Sequence, residues 1–507
     1  MTTNEWLAIA PFVLVVALAM LVIVVDLIWP KRPERVIGVS IVGLAIAAAV
    51  TVYAGPIVGL GGQLPPEGQA VLGGAYVTDQ LTVFLNLLFI AIAALTILFA
   101  PDYLEPRGLP MGEFTATLLF AISGAMLLAG AQDLLILFIG LELLVLPGYM
   151  LAGFAKHDGL STEGAIKYFL LGSFSSAILL FGLAFVFGYT GTTRIDAIAQ
   201  RLIDVVANGA SLPVGLAMGL ALVVTGGAFK IAAVPFHYWT PDAYQGSPTP
   251  VTGYLSVGPK VAAFALLLRL LVEALGPLRA EWGVLLGILA AVTMTLGNLS
   301  ALGQDNIKRM LAYSSIAHTG YIMVGLTVFA AANDPTVQAD GLQGVLFYSL
   351  AYAFMNLGAF ACVAALQRRP GVTSQISTFA GLGRRAPLLG ITMTLFLLSL
   401  VGIPPTAGFF AKAVIVISAV EGGGWLTVLA VIMMLNAAAA AFYYLRVVVV
   451  MYMRESPEGA RPVTVGGLTR VGLVITAVAT IAIGLLPAVT TATLDWTISA
   501  AQALIGA

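Results

Sequence analysis

Apolar runs of about 20 residues recur from one end of this 507-residue chain to the other. No single water-excluded core could bury them all: the sequence is 60% hydrophobic and 9% charged, with a mean hydropathy of +1.01. The runs are continuous and lack the short alternating pattern of a membrane barrel. They therefore specify helices, the segments that satisfy their own backbone in lipid. The fold class expected is all-α, a polytopic membrane protein of about 14 transmembrane helices. The first run follows Glu5 with no Lys or Arg before it and outlasts a signal-peptide core, which predicts a retained helix.

Composition narrows the chemistry. The one cysteine, Cys362, sits in an apolar run, and His157, His237 and His318 lie far apart in sequence. Disulfides, cysteine-held clusters and zinc sites are thereby excluded for the chain acting alone. No strands are expected, so no phosphate loop of the strand–glycine–helix kind is expected either. A formal net charge of -1 offers nothing to nucleic acid. The expectation is a chain without metal or bound cofactor, with redox chemistry left to partners.

Helices are expected to begin near Leu7, Val36, Thr78, Glu113, Asp133, Glu163, Pro213, Val251, Trp282, Ile307, Gly341, Pro387, Trp425 and Gly467. Loops after odd-numbered helices carry Lys31, Arg32, Arg35, Lys156, Arg368, Arg369, Arg384, Arg385, Arg454 and Arg461, with Lys308 and Arg309 after the ninth. The alternate loops carry Arg194, Arg201 and Arg279. The positive-inside rule then puts both termini on the outer face and makes Lys308 and Arg309 surface anchors.

The segment Gln132-Asp133, Gly148-Tyr149, Gly153 reappears as Gln304-Asp305, Gly320-Tyr321, Gly325, each 172 residues on. Gly164, Tyr168, Leu170 and Phe174 reappear as Gly344, Tyr348, Leu350 and Phe354, 180 residues on. A repeat of five helices, an odd number, must run through the membrane upside down in its second copy, as in transporters whose ion sites lie on interrupted helices. The interruptions are present. Helix 7 contains Lys230-Ile231-Ala232-Ala233-Val234-Pro235, and helix 12 contains Gly402-Ile403-Pro404-Pro405-Thr406-Ala407-Gly408. Proline removes a backbone donor and clashes with the preceding turn, so both helices should break at mid-membrane.

Ionisable residues inside these helices carry the functional signal, because each costs about 2.5–3.5 kcal/mol at a helix centre. Glu142 lies well inside helix 5 with no charged neighbour a turn away, which leaves either a structural hydrogen-bond role or a titrating one. Lys230 precedes the helix 7 break, Lys260 sits in mid-helix 8, and Lys412 follows the helix 12 break as the counterpart of Lys230. No lysine of helix 13 matches Lys260; Asn436 is the nearest polar residue. His318, midway down helix 10, is either a proton carrier between Lys260 and Lys412 or a satisfied core histidine. His237 and Asp242 fall past the break, where interface roles compete. A Glu142–Lys230 contact would make a two-state proton switch.

The stretch from Lys230 through Pro235-Phe236-His237-Tyr238-Trp239-Thr240-Pro241-Asp242 and Ser247-Pro248-Thr249-Pro250-Val251-Thr252 to Lys260 resembles the antiporter-like membrane subunits of respiratory complex I, the proton-pumping NADH-quinone oxidoreductase. Arg309 to His318 and Gly402 to Phe409 are further family-like stretches. The resemblance covers helices 4 to 13. It implies two inverted five-helix repeats (helices 4–8 and 9–13) with broken helices 7 and 12. Residues 1–111 would form an N-terminal three-helix segment, 112–275 the first unit, 276–455 the second, and 456–507 helix 14. It also implies a proton relay of Glu142, Lys230, Lys260, His318 and Lys412, with flavin, iron–sulfur clusters and quinone in partner subunits. The partners implied are subunit M, small subunit K and the lipid of a bacterial inner membrane. The chain stops soon after helix 14, without the lateral helix of subunit L, and helix 12 carries lysine where subunit M has glutamate. Two other functions compete with a redox-driven pump: a multi-subunit sodium/proton antiporter and a non-conducting membrane scaffold.

Overall fold

The structure, a computed structural model, describes residues 2–56, 62–65, 67–207, 212–456 and 462–505. Among them, 12 helices are long and apolar enough to cross a membrane. Two more spans are each built from two short pieces, Val214–Lys230 with Trp239–Gly246 and Pro387–Val401 with Ala407–Glu421. These are helices 7 and 12, broken where the prolines require. The others are helices 1 (Thr3–Ile28), 2 (Pro33–Ala54), 3 (Gln80–Phe99), 4 (Met111–Ala129), 5 (Leu134–Ala152), 6 (Gly159–Thr190), 8 (Thr249–Leu267), 9 (Arg279–Leu302), 10 (Ile307–Ala331), 11 (Pro335–Leu366), 13 (Gly424–Met453) and 14 (Gly467–Leu485). Each starts within about two turns of the expected residue.

Two elements depart from the sequence reading. A ribbon of two antiparallel strands, Gln69–Val71 and Tyr76–Thr78, lies in the loop before helix 3. Strands of three residues are too short for a periodic signal, and positive φ at Gly73 and Gly74 reverses the chain between them. A further helix, Pro487–Ile505, follows helix 14. Its threonine-rich sequence lacks the hydropathy of a span, and it packs on helices 3 and 11. The Trp496 ring meets Phe84 edge-on at 4.8 Å, and Gln343 donates to the Leu494 carbonyl at 2.9 Å.

The repeat is visible in hydrogen bonds. Ahead of helix 5, Leu134 N donates to Thr193 O and Ile195 N to Gln132 O; ahead of helix 10, Ile307 N donates to Ser374 O and Ile376 N to Asp305 O. Asp133 and Asn306 each cap the helix that follows. Asp133 therefore matches Asn306, one residue beyond the Gln-Asp match suggested by sequence. Further along, the ring pairs Tyr149–Tyr168 and Tyr321–Tyr348 recur in the register the sequence suggested. Pro147, which has no counterpart in helix 10, lies between the two registers and takes up the difference.

Where helices 3, 4 and 8 meet, the side chain of Arg269 is fully buried in the π-helical end of helix 8, Leu268–Ala274. It donates to Asp79 Oδ1 and Oδ2 at 3.0 and 2.8 Å, to Glu273 at 2.5 Å, to Thr82 at 3.0 Å and to the Ala129 carbonyl at 2.9 Å. A guanidinium so enclosed survives because every face of its fork is occupied.

Candidate functional site

Helix 10 is the backbone of the site. Lys260 reaches it from helix 8 and donates to the Ser315 carbonyl at 2.8 Å and to Thr319 Oγ1 at 3.1 Å. The Thr319 hydroxyl in turn donates to Ile231 O at 2.9 Å, the first carbonyl of the helix 7 break. One threonine thus joins the central lysine to the opened backbone beside Lys230. The break exists because Pro235 cannot continue the helix and Ala232 takes a positive φ of 59°, leaving carbonyls for side chains to use.

Lys230 is buried at the end of the first helix 7 piece. Its ammonium donates to Ser176 Oγ at 2.7 Å and to the Gly172 carbonyl at 3.2 Å, both on helix 6. The expected contact with Glu142 is not made: no ion pair joins them among the described residues. Glu142 is only half-buried, lies on the face of helix 5 that exposes Ile139 and Leu146, and has its buried Oε1 without a partner. It remains near enough to act electrostatically on Lys230. A narrow cavity of about 10 Å³, lined by Leu141, Tyr149, Tyr168, Lys230 and Trp239 among others, lies beside Lys230.

His318 is held on both ring nitrogens, Nδ1 against Tyr348 Oη at 2.6 Å and Nε2 against Tyr444 Oη at 3.2 Å; the Tyr444 hydroxyl also meets Ser314 Oγ. Two neutral hydroxyls suit a neutral imidazole that can accept on one nitrogen and donate on the other.

Lys412 is buried in the second piece of helix 12, yet its ammonium turns back to the last carbonyls of the first piece, Leu400 at 2.8 Å and Val401 at 2.5 Å. It also lies over the Tyr321 ring, 5.4 Å from its centre. In chain position it is no match for Lys230, since one precedes its break and the other follows. The Lys412 ammonium sits at the end of the first half-helix, where the macrodipole favours a cation, while Lys230 ends its own first half-helix and turns its ammonium to helix 6. On helix 13, Asn436 donates to Thr295 and accepts from Asn298, both on helix 9; Asn298 also binds Tyr321 and Tyr443.

Sequence reasoning missed three contributors. Thr319 and Ser176 are ordinary hydroxyls in apolar helices, with no pattern to mark them. Lys308, expected as a surface anchor, is buried and donates to the carbonyls of Gln245 at 2.9 Å and Ser247 at 2.5 Å, the end of the second helix 7 piece. It lies at a helix start, where a lysine ordinarily reaches solvent; here the folded-back half-helix covers it. Its neighbour Arg309 pairs with Asp242 at 2.7 Å, and Asp242 with Lys167 at 2.6 Å. His237, past the break, stacks on Tyr238 and joins none of these lysines.

Charged groups in lipid-spanning helices, two of them at paired half-helix breaks and two seated against helix 10, define a secondary ion-transport architecture. A family model described as "NADH:quinone oxidoreductase/Mrp antiporter, TM" matches residues 131–436, which contain all five residues expected to form the relay. NADH-quinone oxidoreductase subunit N of Trichlorobacter lovleyi is 44% identical over 407 residues, 80% of this chain and 79% of that one. A chain of respiratory complex I from Thermus thermophilus superposes with a TM-score of 0.75 at 31% identity, covering 95% of this chain and 98% of that one. A chain of the Mrp complex from Dietzia sp. gives 0.82 at 21% identity, covering 100% and 98%, a likeness of fold. The chain belongs to the membrane-subunit family of NADH:quinone oxidoreductases and Mrp antiporters.

Proposed function

We propose that the chain is the subunit N type of proton-translocating membrane subunit in a bacterial NADH-quinone oxidoreductase. The observation that carries this reading is the seating of Lys260 on helix 10, because Thr319 ties the central lysine to the break beside Lys230. Glu142 acts electrostatically on the buried Lys230; a change there is felt at Lys260 through the break, and Lys260 passes charge along helix 10, by His318, to Lys412. Each lysine keeps donors pointed at carbonyl or hydroxyl oxygens, so either protonation state has partners. A scaffold would gain nothing from the insertion cost of these groups.

Flavin, iron–sulfur clusters and quinone belong to partner subunits, and subunits M and K are the expected neighbours. The chain sits in the inner membrane with both termini outward. The test is co-purification followed by pumping: the chain extracted in mild detergent brings flavin and iron–sulfur subunits, and vesicles carrying Lys260→Ala oxidise NADH with little proton uptake. Recovery with antiporter subunits alone favours the sodium/proton exchanger, and full pumping by Lys260→Ala removes the relay.

A further inference from the structure

Tyr149 and Tyr321 occupy the same place in the two repeats, and each stands beside a half-helix lysine. In the first unit, Tyr149 lies two turns beyond Glu142 on the same face of helix 5 and lines the space that Lys230 also lines. Its hydroxyl rests on Gly172: a Cβ there would fall 2.2 Å from Tyr149 Oη. Gly172 is also the residue whose carbonyl receives the Lys230 ammonium. Only a residue without a side chain at 172 lets the phenol and the ammonium reach one point of helix 6 together.

Among the described residues, neither the buried Tyr149 hydroxyl nor Glu142 Oε1 has a hydrogen-bond partner. A buried hydroxyl without a partner is uncommon, and one that lines the same narrow cavity as a lysine calls for an occupant such as a single water. In the second unit the arrangement differs in one respect. The Tyr321 hydroxyl is already engaged by Asn298 at 2.8 Å, and it is the ring that meets Lys412.

We propose that Tyr149 is a proton-relay residue between Lys230 and Glu142, and that Tyr321, its counterpart, is a positioning residue that holds the Lys412 ammonium against its ring. The proposal rests on the relay reading above. In the transfer, the Tyr149 hydroxyl receives a proton from the Lys230 ammonium, directly or through water, while its own O–H proton passes to the Glu142 carboxylate. Lysine ends neutral, glutamic acid ends protonated, and the phenol is unchanged. The reverse transfer resets the pair.

The two roles separate by chemistry. Tyr149→Phe keeps the ring and removes the hydroxyl, and proton uptake per NADH falls roughly tenfold or more at matched complex content. Tyr321→Leu, which removes the ring, pumps several-fold more slowly than Tyr321→Phe, which keeps it; equal rates for the two would show that the ring does not position Lys412. A fluorinated tyrosine placed at 149 has the same shape and a more acidic hydroxyl, so it moves the pH profile of pumping, which a purely structural ring would not do. The titratable groups facing Tyr149 are Glu142 on its own helix, Tyr168 on helix 6 and Lys230 on helix 7; helix 8 contributes Pro259 and Ala263. Lys230→Met in the same membranes is the control. If it pumps normally, the relay reading itself fails. If it is inactive while Tyr149→Phe pumps as wild type and the fluorinated protein keeps the wild-type pH profile, the role given to Tyr149 is wrong.

Discussion

Replacing Lys412 tests the seat that the helix 12 break provides. Lys412→Met removes two charge-assisted hydrogen bonds to Leu400 and Val401, worth about 1.5–3 kcal/mol each. It also removes the cost of holding an ammonium inside the bilayer, about 2.5–3.5 kcal/mol. The terms largely offset, leaving a loss of about 0–3 kcal/mol, small enough for the complex to assemble. Lys412→Arg keeps the charge and the donors but cannot release a proton, so it assembles like wild type and pumps like methionine. Lys412→Glu is the discriminating variant. On titratability alone glutamate looks mild, but the seat consists of two carbonyl oxygens: the ionised form has no donor to offer them, and the protonated form only one where the ammonium gives two, so it must shed that bond each time it releases its proton. Glutamate is therefore expected to be no better than methionine. The assay is membrane potential generated per NADH oxidised in inverted vesicles at matched complex content. A methionine variant as competent as wild type removes Lys412 from the path; a glutamate variant that pumps well refutes the seat argument.

Other outcomes follow from individual contacts. Thr319→Val is nearly isosteric and loses the bridge from Lys260 to Ile231; at about 0.5–1.5 kcal/mol per bond, pumping drops severalfold without loss of assembly, measured as proton uptake. Lys308→Met frees the end of the second helix 7 piece, so the purified complex unfolds at lower temperature, and an unchanged melting curve would show that the two carbonyl contacts hold nothing. Arg269→Met leaves Asp79 and Glu273 buried without their partner, at a cost of about 3–5 kcal/mol, and the chain fails to accumulate. Combining it with Asp79→Asn and Glu273→Gln restores accumulation in immunoblots of membranes if charge is the cause.

The spans, both breaks and the inverted repeat were legible because they rest on hydropathy, proline chemistry and spacing, which are local properties of a sequence. Lys230, Lys260 and Lys412 stood out for the same reason: lysine inside an apolar run is costly wherever the chain goes next. What each lysine touches was not legible. Ser176, Thr319 and the carbonyls of Leu400 and Val401 become partners only when helices 6, 10 and 12 meet. Lys308 shows the converse, since a residue at a helix start reads as solvent-facing until the returning half-helix of Trp239–Gly246 covers it. The Arg269 cluster was hidden by distance, Asp79 and Arg269 lying 190 residues apart.

The two units are alike in backbone and unlike in chemistry, and the difference bears on how many paths the chain can hold. Before Pro147 the registers make Ser315 the counterpart of Glu142, and it is the Ser315 carbonyl that receives Lys260. The position that carries a free carboxylate in the first unit thus serves the central lysine in the second. Asn436, the nearest polar residue of helix 13, is tied with Asn298, Tyr443 and Tyr321 into a set of neutral groups that cannot store a proton near neutral pH. A second complete relay would need its own carboxylate near Lys412 and its own mid-helix lysine, and the second unit supplies neither. The arrangement is that of one path shared by two halves. In the relay proposed above, the first half loads Lys260 through Lys230 under the influence of Glu142, and the second discharges it at Lys412.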